Sequence, residues 1–165
     1  MKYNKGFTLL ELIIVIAILG ALAIGLLATI DPLEQIKKGQ DTTKRNTIEE
    51  IYNANLRYYA IKTYFPWNVA TSSGPIWPGF GASLTELQNV GEVKSTFIAN
   101  ANTAFLAQMY INSTAADSQS VCYKPTSKSF QEDPNTIYAS SGTANPTTCK
   151  SQTSTGGTDC YYCIR

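Results

Sequence analysis

Glu11 is a single acidic residue at the start of a long uncharged, mostly apolar run. The run covers residues 12–30, which is 19 residues without a charge. A carboxylate at membrane depth costs roughly 2.5–3.5 kcal/mol on insertion scales, so such a residue is functional by default. The chemistry open to it is that of an anion in apolar surroundings, which needs a cationic partner to offset the lost hydration.

Four cysteines, Cys122, Cys149, Cys160 and Cys163, are the other reactive side chains, and all lie in the last 44 residues. In a domain outside the cytoplasm, an even count favours disulfides, and three pairings are possible. We prefer Cys149–Cys160, which closes a loop, with Cys122–Cys163, which ties the C-terminus to a strand. A four-cysteine zinc site is the alternative, but it lacks the second C-x-x-C that such sites carry. A redox C-x-x-C is a weaker one, because no βαβ context surrounds it.

The composition argues against catalysis. The chain has no histidine, which removes the commonest general base and the commonest transition-metal ligand together. The net charge is +1, from 13 basic and 12 acidic residues, so direct nucleic-acid binding has no support. No glycine-rich phosphate loop, paired-carboxylate site or calcium loop appears in the sequence. We therefore expect no enzymatic activity, no cofactor and no metal.

The apolar run that follows Glu11 has the length of a membrane helix, since about 20 residues span a bilayer. One alternative is an ordinary signal peptide, because Lys2 and Lys5 give a basic start and Ala21-Leu22-Ala23 mimics a cleavage site. Such a peptide would have no charge in its apolar region, and its run would be about 7–15 residues. A plain anchor helix is the other alternative. Neither explains Gly-Phe followed four residues later by Glu.

The string Lys5-Gly6-Phe7-Thr8-Leu9-Leu10-Glu11 and the apolar run resemble the N-terminus of type IV prepilins and related pseudopilins. The resemblance covers about the first 60 residues. It implies that a prepilin peptidase cleaves between Gly6 and Phe7, that Phe7 becomes N-methylated, and that Glu11 meets the terminal amine of a neighbouring subunit. Phe7 and Glu11 are one helical turn apart, so they share a face after cleavage. Such a buried pair sets the register between subunits.

Three small residues, Ala17, Ala21 and Gly25, recur every four positions within the apolar run. A stripe of this kind lets helix backbones approach closely in lipid, although small residues are also common in any membrane helix. Under the resemblance, the stripe packs copies of the chain together in a filament core. The partners so implied are other copies of the chain, a prepilin peptidase, the inner-membrane assembly platform and the membrane.

The fold class that we predict is α+β and pilin-like: a long N-terminal helix, half membrane and half amphipathic, packed on a small antiparallel sheet. The divisions are a leader (1–6), a transmembrane or assembly helix (7–30), an amphipathic helix (31–65) and a β-rich head (66–165). Asp31-Pro32-Leu33-Glu34 is a helix-start signal, which predicts a break around residues 29–31.

Helical spacing predicts the face of the second helix that packs on the head. That face comprises Ile48, Ile51, Tyr52, Asn55, Leu56, Tyr59 and Lys62. The preceding segment, 37–47, is polar, and we predict a solvated connection there, with ion pairing between subunits as the alternative. Pro66 ends the helix, and 66–81 is a loop. Its Trp67, Trp77 and Phe80 fold back onto the core in our preferred interpretation, rather than forming an exposed binding patch.

Elements of the head are read from weaker patterns. Ser83-Leu84-Thr85-Glu86 predicts a capping box that starts a helix through about Gln88. Candidate strands are 104–111, 120–124, 136–139 and 161–164. Residues 140–158 hold ten serines and threonines among 19, which predicts an exposed loop. Asn112-Ser113-Thr114 fits the N-glycosylation pattern.

Three functional hypotheses follow. The leading one is a structural subunit of a type IV pilus-like filament, made as a single-pass precursor in the inner membrane with its C-terminus outside, and then assembled extracellularly. A pseudopilin of a type II secretion system is the first alternative, although the sequence lacks the acidic cluster with which major pseudopilins often bind calcium. The second alternative is a secreted, disulfide-bonded binding domain with an ordinary signal peptide.

Overall fold

The computed structural model describes residues 6–29, 31–68, 71–146, 149 and 160–165. Its architecture is the α+β, pilin-like arrangement predicted: a long apolar helix, further helices and a small antiparallel sheet. The helices are α1 (Leu9–Thr29), α2 (Pro32–Lys62), α3 (Gly81–Asn89), α4 (Phe97–Ala101), α5 (Thr103–Leu106) and α6 (Lys128–Gln131). The strands are β1 (Ser72–Pro75), β2 (Met109–Ala115), β3 (Ser118–Tyr123) and β4 (Tyr162–Ile164). Compact packing divides the chain into two units, the first ending at Ile36 and the second beginning at Lys37.

Helix α1 is apolar on every side. Its described side chains are all exposed up to Leu26, including large aliphatic residues such as Ile13 and Leu22. Residues Leu9–Leu26 are long and apolar enough to cross a membrane, judged by length and composition. A helix that is hydrophobic all round needs an apolar environment, so this element is suited to lipid or to the interior of an assembly.

Helix α2 begins where the sequence predicts. The Asp31 carboxylate accepts hydrogen bonds from the backbone N–H groups of Leu33 and Glu34, at 3.1 and 3.3 Å. Asp31 is therefore the N-cap, and Pro32 occupies the first helical position, where a missing N–H has no cost. The helix ends at Lys62, earlier than predicted, because Thr63 takes a left-handed conformation with φ of 65°.

The head, in the second unit, has a core between α2 and the sheet. The α2 side chains that face it are Ile48, Ile51, Ala54, Asn55 and Tyr58. This face is rotated from the one predicted, since Leu56 is exposed and Tyr59 is half-buried. The α2 residues meet Leu84 and Leu87 of α3, and apolar side chains of β2 and β3 complete the cluster.

The sheet is an antiparallel meander with the order β1-β2-β3-β4. Predicted strand 120–124 corresponds to β3 and predicted strand 161–164 to β4, with small shifts of boundary. Predicted strand 104–111 is wrong in its first half, which forms α5, while β2 continues to Ala115. Predicted strand 136–139 is also wrong, because Tyr138 makes only isolated bridges, to Ala144 and Tyr161. Strand β1 was not predicted, since Ser-Ser-Gly-Pro has no apolar alternation.

The aromatic loop folds back onto the head, as preferred from the sequence. Phe80 is buried in the core, and Trp67 and Trp77 pack against it while partly exposed. Trp77 lies so close to α3 that a Cβ on Gly81 would come within 2.7 Å of its ring. The predicted capping box is wrong: α3 begins at Gly81, its N-cap Phe80 offers no side-chain bond, and Ser83 is buried.

Candidate functional site

The predicted processing site lies in an accessible segment just before α1. Gly6 and Phe7 have no regular secondary structure, and the Phe7 side chain is 88% exposed. Apart from its chain neighbours, no heavy atom of the described residues lies within 4 Å of the position that a Cβ on Gly6 would occupy. The Gly6–Phe7 peptide bond is therefore open to an enzyme, and a glycine is not required there by the fold.

Glu11 forms a reciprocal capping box with Thr8 at the start of α1. Its carboxylate accepts hydrogen bonds from the Thr8 backbone N–H and from the Thr8 hydroxyl, both at 2.9 Å. The Thr8 hydroxyl oxygen in turn accepts the Glu11 backbone N–H at 3.2 Å. This device satisfies helix N–H groups that would otherwise lack partners. This capping box was not predicted, although Thr8-Leu9-Leu10-Glu11 carries the required Thr-x-x-Glu spacing.

The charge of Glu11 is exposed and, among the described residues, it meets no cation. The backbone nitrogen of Phe7, four residues earlier, is part of a peptide bond in the full-length chain. Cleavage after Gly6 would convert this nitrogen to a free amine. In the structure Phe7 precedes α1 by two residues, and Glu11 lies in the first turn of that helix. The local geometry is suited to pairing the carboxylate with an amine once one is created.

The small-residue stripe lies open along α1. Ala17, Ala21 and Gly25 are all exposed, and no described heavy atom outside the local helix backbone and chain neighbours lies within 4 Å of a Cβ built on Gly25. Nothing in the described part of the chain covers this stripe. Its access would allow another helix to approach closely.

Both disulfides lie at the C-terminal edge of the head. They pair Cys122 with Cys163 and Cys149 with Cys160, the same pairs that the sequence analysis favours. Cys122 and Cys163 are directly opposite each other in the ladder between β3 and β4. The zinc site and the redox pairing of Cys160 with Cys163 are wrong, since each thiol is bonded elsewhere. Most of the predicted Ser/Thr-rich loop, residues 147–148 and 150–158, lies outside the described residues.

Asp41 corrects the prediction that segment 37–47 is a solvated connection. Its side chain is fully buried, and its carboxylate accepts hydrogen bonds from the backbone N–H groups of Thr126 and Ser127 and from the Thr126 hydroxyl, at 2.7–3.1 Å. Ser127 is the N-cap of α6, so the Asp41 carboxylate lies at the N-terminus of that helix and binds the N–H groups of the N-cap and of the residue before it. A negative charge at a helix N-terminus is favourable.

Lys44 is buried one turn beyond Asp41. Its ammonium lies 4.0 Å from the Asp41 carboxylate. Burial lowers the pKa of the Lys44 ammonium, and the negative charge of Asp41 partly offsets this effect. No local signal in the sequence predicted this pair, because an acid and a lysine in a polar helical stretch look like surface residues.

Asn112 cannot serve as the glycosylation site that its sequence pattern suggests. Its side chain is 3% exposed, and its amide donates a hydrogen bond to the Ser140 carbonyl at 2.8 Å. Its carbonyl oxygen also accepts a short hydrogen bond from the Ser73 hydroxyl. A glycan on Asn112 would require this part of the head to open.

A comparison with known protein families finds a match at the N-terminus of the chain. Residues 1–27 match the family model described as the prokaryotic N-terminal methylation motif. This motif is the prepilin-type leader of type IV pilins and pseudopilins, and it implies processing by a prepilin peptidase and filament assembly. The leader and the apolar helix fit a membrane-anchored precursor. No curated protein and no solved structure matches the chain significantly.

Proposed function

We propose that this protein is a structural subunit of a type IV pilus-like filament and not an enzyme. Prepilin peptidase cleaves the precursor between Gly6 and Phe7, Phe7 is methylated, and the mature chain polymerises through its N-terminal helix. The observation that carries the proposal is Glu11: a lone carboxylate at the start of a helix whose described sides are all exposed. An assembly that brings an amine to this carboxylate would offset its cost in an apolar environment.

Assembly also involves the exposed apolar surface of α1. The apolar surface that is exposed in the single chain is satisfied by lipid before assembly and by neighbouring helices afterwards. Ala17, Ala21 and Gly25 form the face where those helices approach most closely. The inner-membrane assembly platform moves subunits from the membrane, where the head is outside, into an extracellular filament.

The mass of the mature protein tests the processing step. Cleavage after Gly6 leaves 159 of the 165 residues, beginning at methylated Phe7. An ordinary signal peptide cleaved after Ala23 would leave 142 residues, and that mass would overturn the proposal. Abundance of the mature chain in filaments sheared from the cell surface supports a pilus, whereas retention in the envelope supports a secretion pseudopilin.

A Gly6→Leu variant tests the cleavage site itself. A larger residue fits sterically at Gly6, so the variant should insert normally and accumulate as uncleaved precursor. Gly20→Ala is the matched control, because a Cβ on Gly20 also has no described heavy atom within 4 Å beyond its own helix backbone and chain neighbours. We expect the control to mature like the wild type. Normal maturation of Gly6→Leu would contradict the assignment.

A further inference from the structure

A cleft of about 650 Å³ opens in the head beside β3, between α2 and the turn at residues 141–144. The ladder between β3 and β4 stops at the pair of Val121 and Ile164. Within the described part of the chain, no strand therefore covers the outer edge of residues 118–120. Sites for small organic ligands have volumes of about 300–1,000 Å³, so this cleft has the size of such a site.

The inner lining of the cleft is polar and fixed in place. It includes Asn112, Gln119 and Ser120, each of which is at most 9% exposed. The Gln119 side chain accepts a hydrogen bond from the Asn55 amide of α2 at 2.9 Å. The Asn112 amide donates to the Ser140 carbonyl at 2.8 Å, which connects the sheet to the turn. The two walls are thus held to the sheet before any ligand arrives, and a preformed site costs a ligand less to occupy.

Ser120 contributes a hydroxyl without a partner to this inner lining. Its side chain is 8% exposed, yet its Oγ atom makes no hydrogen bond to any described residue. The turn comes so close that a Cβ on Gly142, where φ is +74°, would lie 2.5 Å from Ser120 Oγ. A buried hydroxyl without a partner costs free energy, which a hydrogen bond from a ligand would recover. The Ser120 hydroxyl therefore indicates a polar ligand in the cleft.

The rest of the lining matches a ligand that carries many hydroxyl groups. Four further hydroxyls, each able to donate and to accept, lie around Ser120 and are paired at 3.1 and 3.2 Å: Thr114 with Ser118, and Ser141 with Thr143. The exposed Asp117 carboxylate has no hydrogen bond or ion pair among the described residues, so its two oxygens remain available as acceptors. Tyr52 packs partly against the core and presents an aromatic ring to the cleft.

The charges at the cleft favour a neutral ligand over an anion. Arg165 lines the cleft, but its guanidinium already donates to the Gly142 carbonyl and lies 4.5 Å from the centre of the Tyr138 ring. Asp117 places a negative charge at the same cleft. The two formal charges cancel, so a phosphate or a carboxylate would gain little there.

We propose that this cleft binds a short neutral oligosaccharide. Sugars present hydroxyl groups around the rim of each ring and C–H groups on its faces, which is the combination that the lining matches. Ser120 makes the innermost hydrogen bond, Asp117 accepts from neighbouring sugar hydroxyls, and Tyr52 contacts a C–H face. This activity goes beyond the proposed filament and does not depend on it, because every group involved belongs to one head.

Binding to an array of immobilised oligosaccharides, both neutral and anionic, tests the inference. The full chain is purified in a polyoxyethylene detergent, because detergents with glucose or maltose head groups would compete for the cleft. We expect the chain to bind a small set of the neutral oligosaccharides, and we expect the same oligosaccharides free in solution to compete. Binding to none of them, or to anionic ones alone, would overturn the inference.

Two substitutions locate the binding in the cleft. Ser120→Ala should weaken it by about fivefold to tenfold, the effect of one lost hydrogen bond. Ser127→Ala is the matched control, because the Ser127 hydroxyl is also buried and without a partner among the described residues but lies outside the cleft. Asp117→Ala should weaken binding by about tenfold. Glu50→Ala, at an exposed acid outside the cleft, should leave it unchanged.

The outcomes separate this inference from the proposed function. Undiminished binding by both Ser120→Ala and Asp117→Ala would place the sugar elsewhere and overturn the inference, whatever the chain assembles into. If the wild type binds sugar through the cleft but forms no filament, the inference holds and only the proposed function fails.

Discussion

Asp41 is a carboxylate that solvent does not reach, and it connects two distant parts of the head. The carboxylate joins α2 to the segment that leads into α6, using two backbone donors and one hydroxyl. Hydrogen bonds to a charged acceptor are about twice as strong as neutral ones. Asp41 therefore fixes the chain after β3 against the helix, and Lys44 beside it depends on the same charge.

Asp41→Asn should lower the free energy of unfolding by about 3 kcal/mol. The amide replaces one acceptor oxygen with a donor and leaves Lys44 buried without its counter-charge. Denaturant unfolding of the purified full chain in detergent measures the effect. Asp31→Asn is the control, because asparagine caps a helix as well as aspartate does, so its stability should change little. Equal effects of the two substitutions would contradict the role of Asp41.

Tyr123 has a buried hydroxyl that meets no hydrogen-bond partner among the described residues. Burial raises the pKa of this phenol, and the nearby charge of Asp41 raises it further. Above the ordinary value of 10.0, the unfolded chain loses the proton while the folded chain keeps it. Stability must therefore fall as the pH rises past that value. The effect of Lys44 on stability has the opposite sign. Because the pKa of Lys44 is lowered in the folded protein, stability rises with pH up to the ordinary lysine pKa of 10.5.

Tyr123→Phe should remove the part of the alkaline loss that begins near pH 10. At neutral pH the variant should be as stable as the wild type or about 1 kcal/mol more stable, because a buried polar atom without a partner is removed. Unfolding free energies measured from pH 7 to 11 test both points. Tyr59→Phe, at a half-buried tyrosine of α2, is the matched control. An unchanged alkaline slope in Tyr123→Phe would refute the argument.

At the scale of elements, the two disulfides differ in the loop that they close. Cys122–Cys163 spans 41 residues and connects opposite positions on β3 and β4, whereas Cys149–Cys160 spans 11 residues. Because a crosslink reduces the entropy of the unfolded chain, the first disulfide is expected to stabilise the fold by about 4 kcal/mol and the second by about 3 kcal/mol. Cys122 is also fully buried, so its replacement affects packing as well.

Paired alanine substitutions test this order. Cys122→Ala with Cys163→Ala should destabilise the head more than Cys149→Ala with Cys160→Ala, by about 1 kcal/mol or more. The comparison is matched because each variant replaces two cysteines by the same residue. The midpoint of denaturant unfolding is the readout. A larger loss from Cys149 and Cys160 would show that the short loop, and not the β3–β4 rung, limits stability.

Helices α1 and α2 were predictable from the sequence because their signals are local. The N-cap at Asp31 and the apolar run after Glu11 each lie within a few residues of the element that they define. Strand β1 lacked such a signal, since Ser72–Pro75 pairs with β2 through its backbone. The burial of Asp41 could not be predicted from the sequence either, because its hydrogen-bond partners lie 85 and 86 residues away. At the N-terminal site, Thr8 was overlooked although its spacing from Glu11 is local.

For the whole molecule, the question is whether Glu11 acts through its charge or only as a helix cap. Its carboxylate does cap α1 through Thr8, so loss of assembly in Glu11→Ala has two explanations. Glu11→Gln separates them, because glutamine keeps an acceptor for the Thr8 donors and removes the charge. A cap alone predicts normal assembly of this variant, whereas a charge pair between subunits predicts its loss.

We expect both Glu11→Ala and Glu11→Gln to insert into the membrane as well as the wild type or better, since a membrane charge is removed. The yield of sheared filaments should fall by about 100-fold in each, because breaking an ion pair in apolar surroundings costs about 3 kcal/mol. Asp31→Asn, which removes a negative charge at the start of α2 and keeps the helix cap, is the control for loss of one charge. Filaments at wild-type yield from Glu11→Gln would limit Glu11 to capping. The amine created at Phe7 would then need another partner, and the register between subunits would depend on α1 packing and the head.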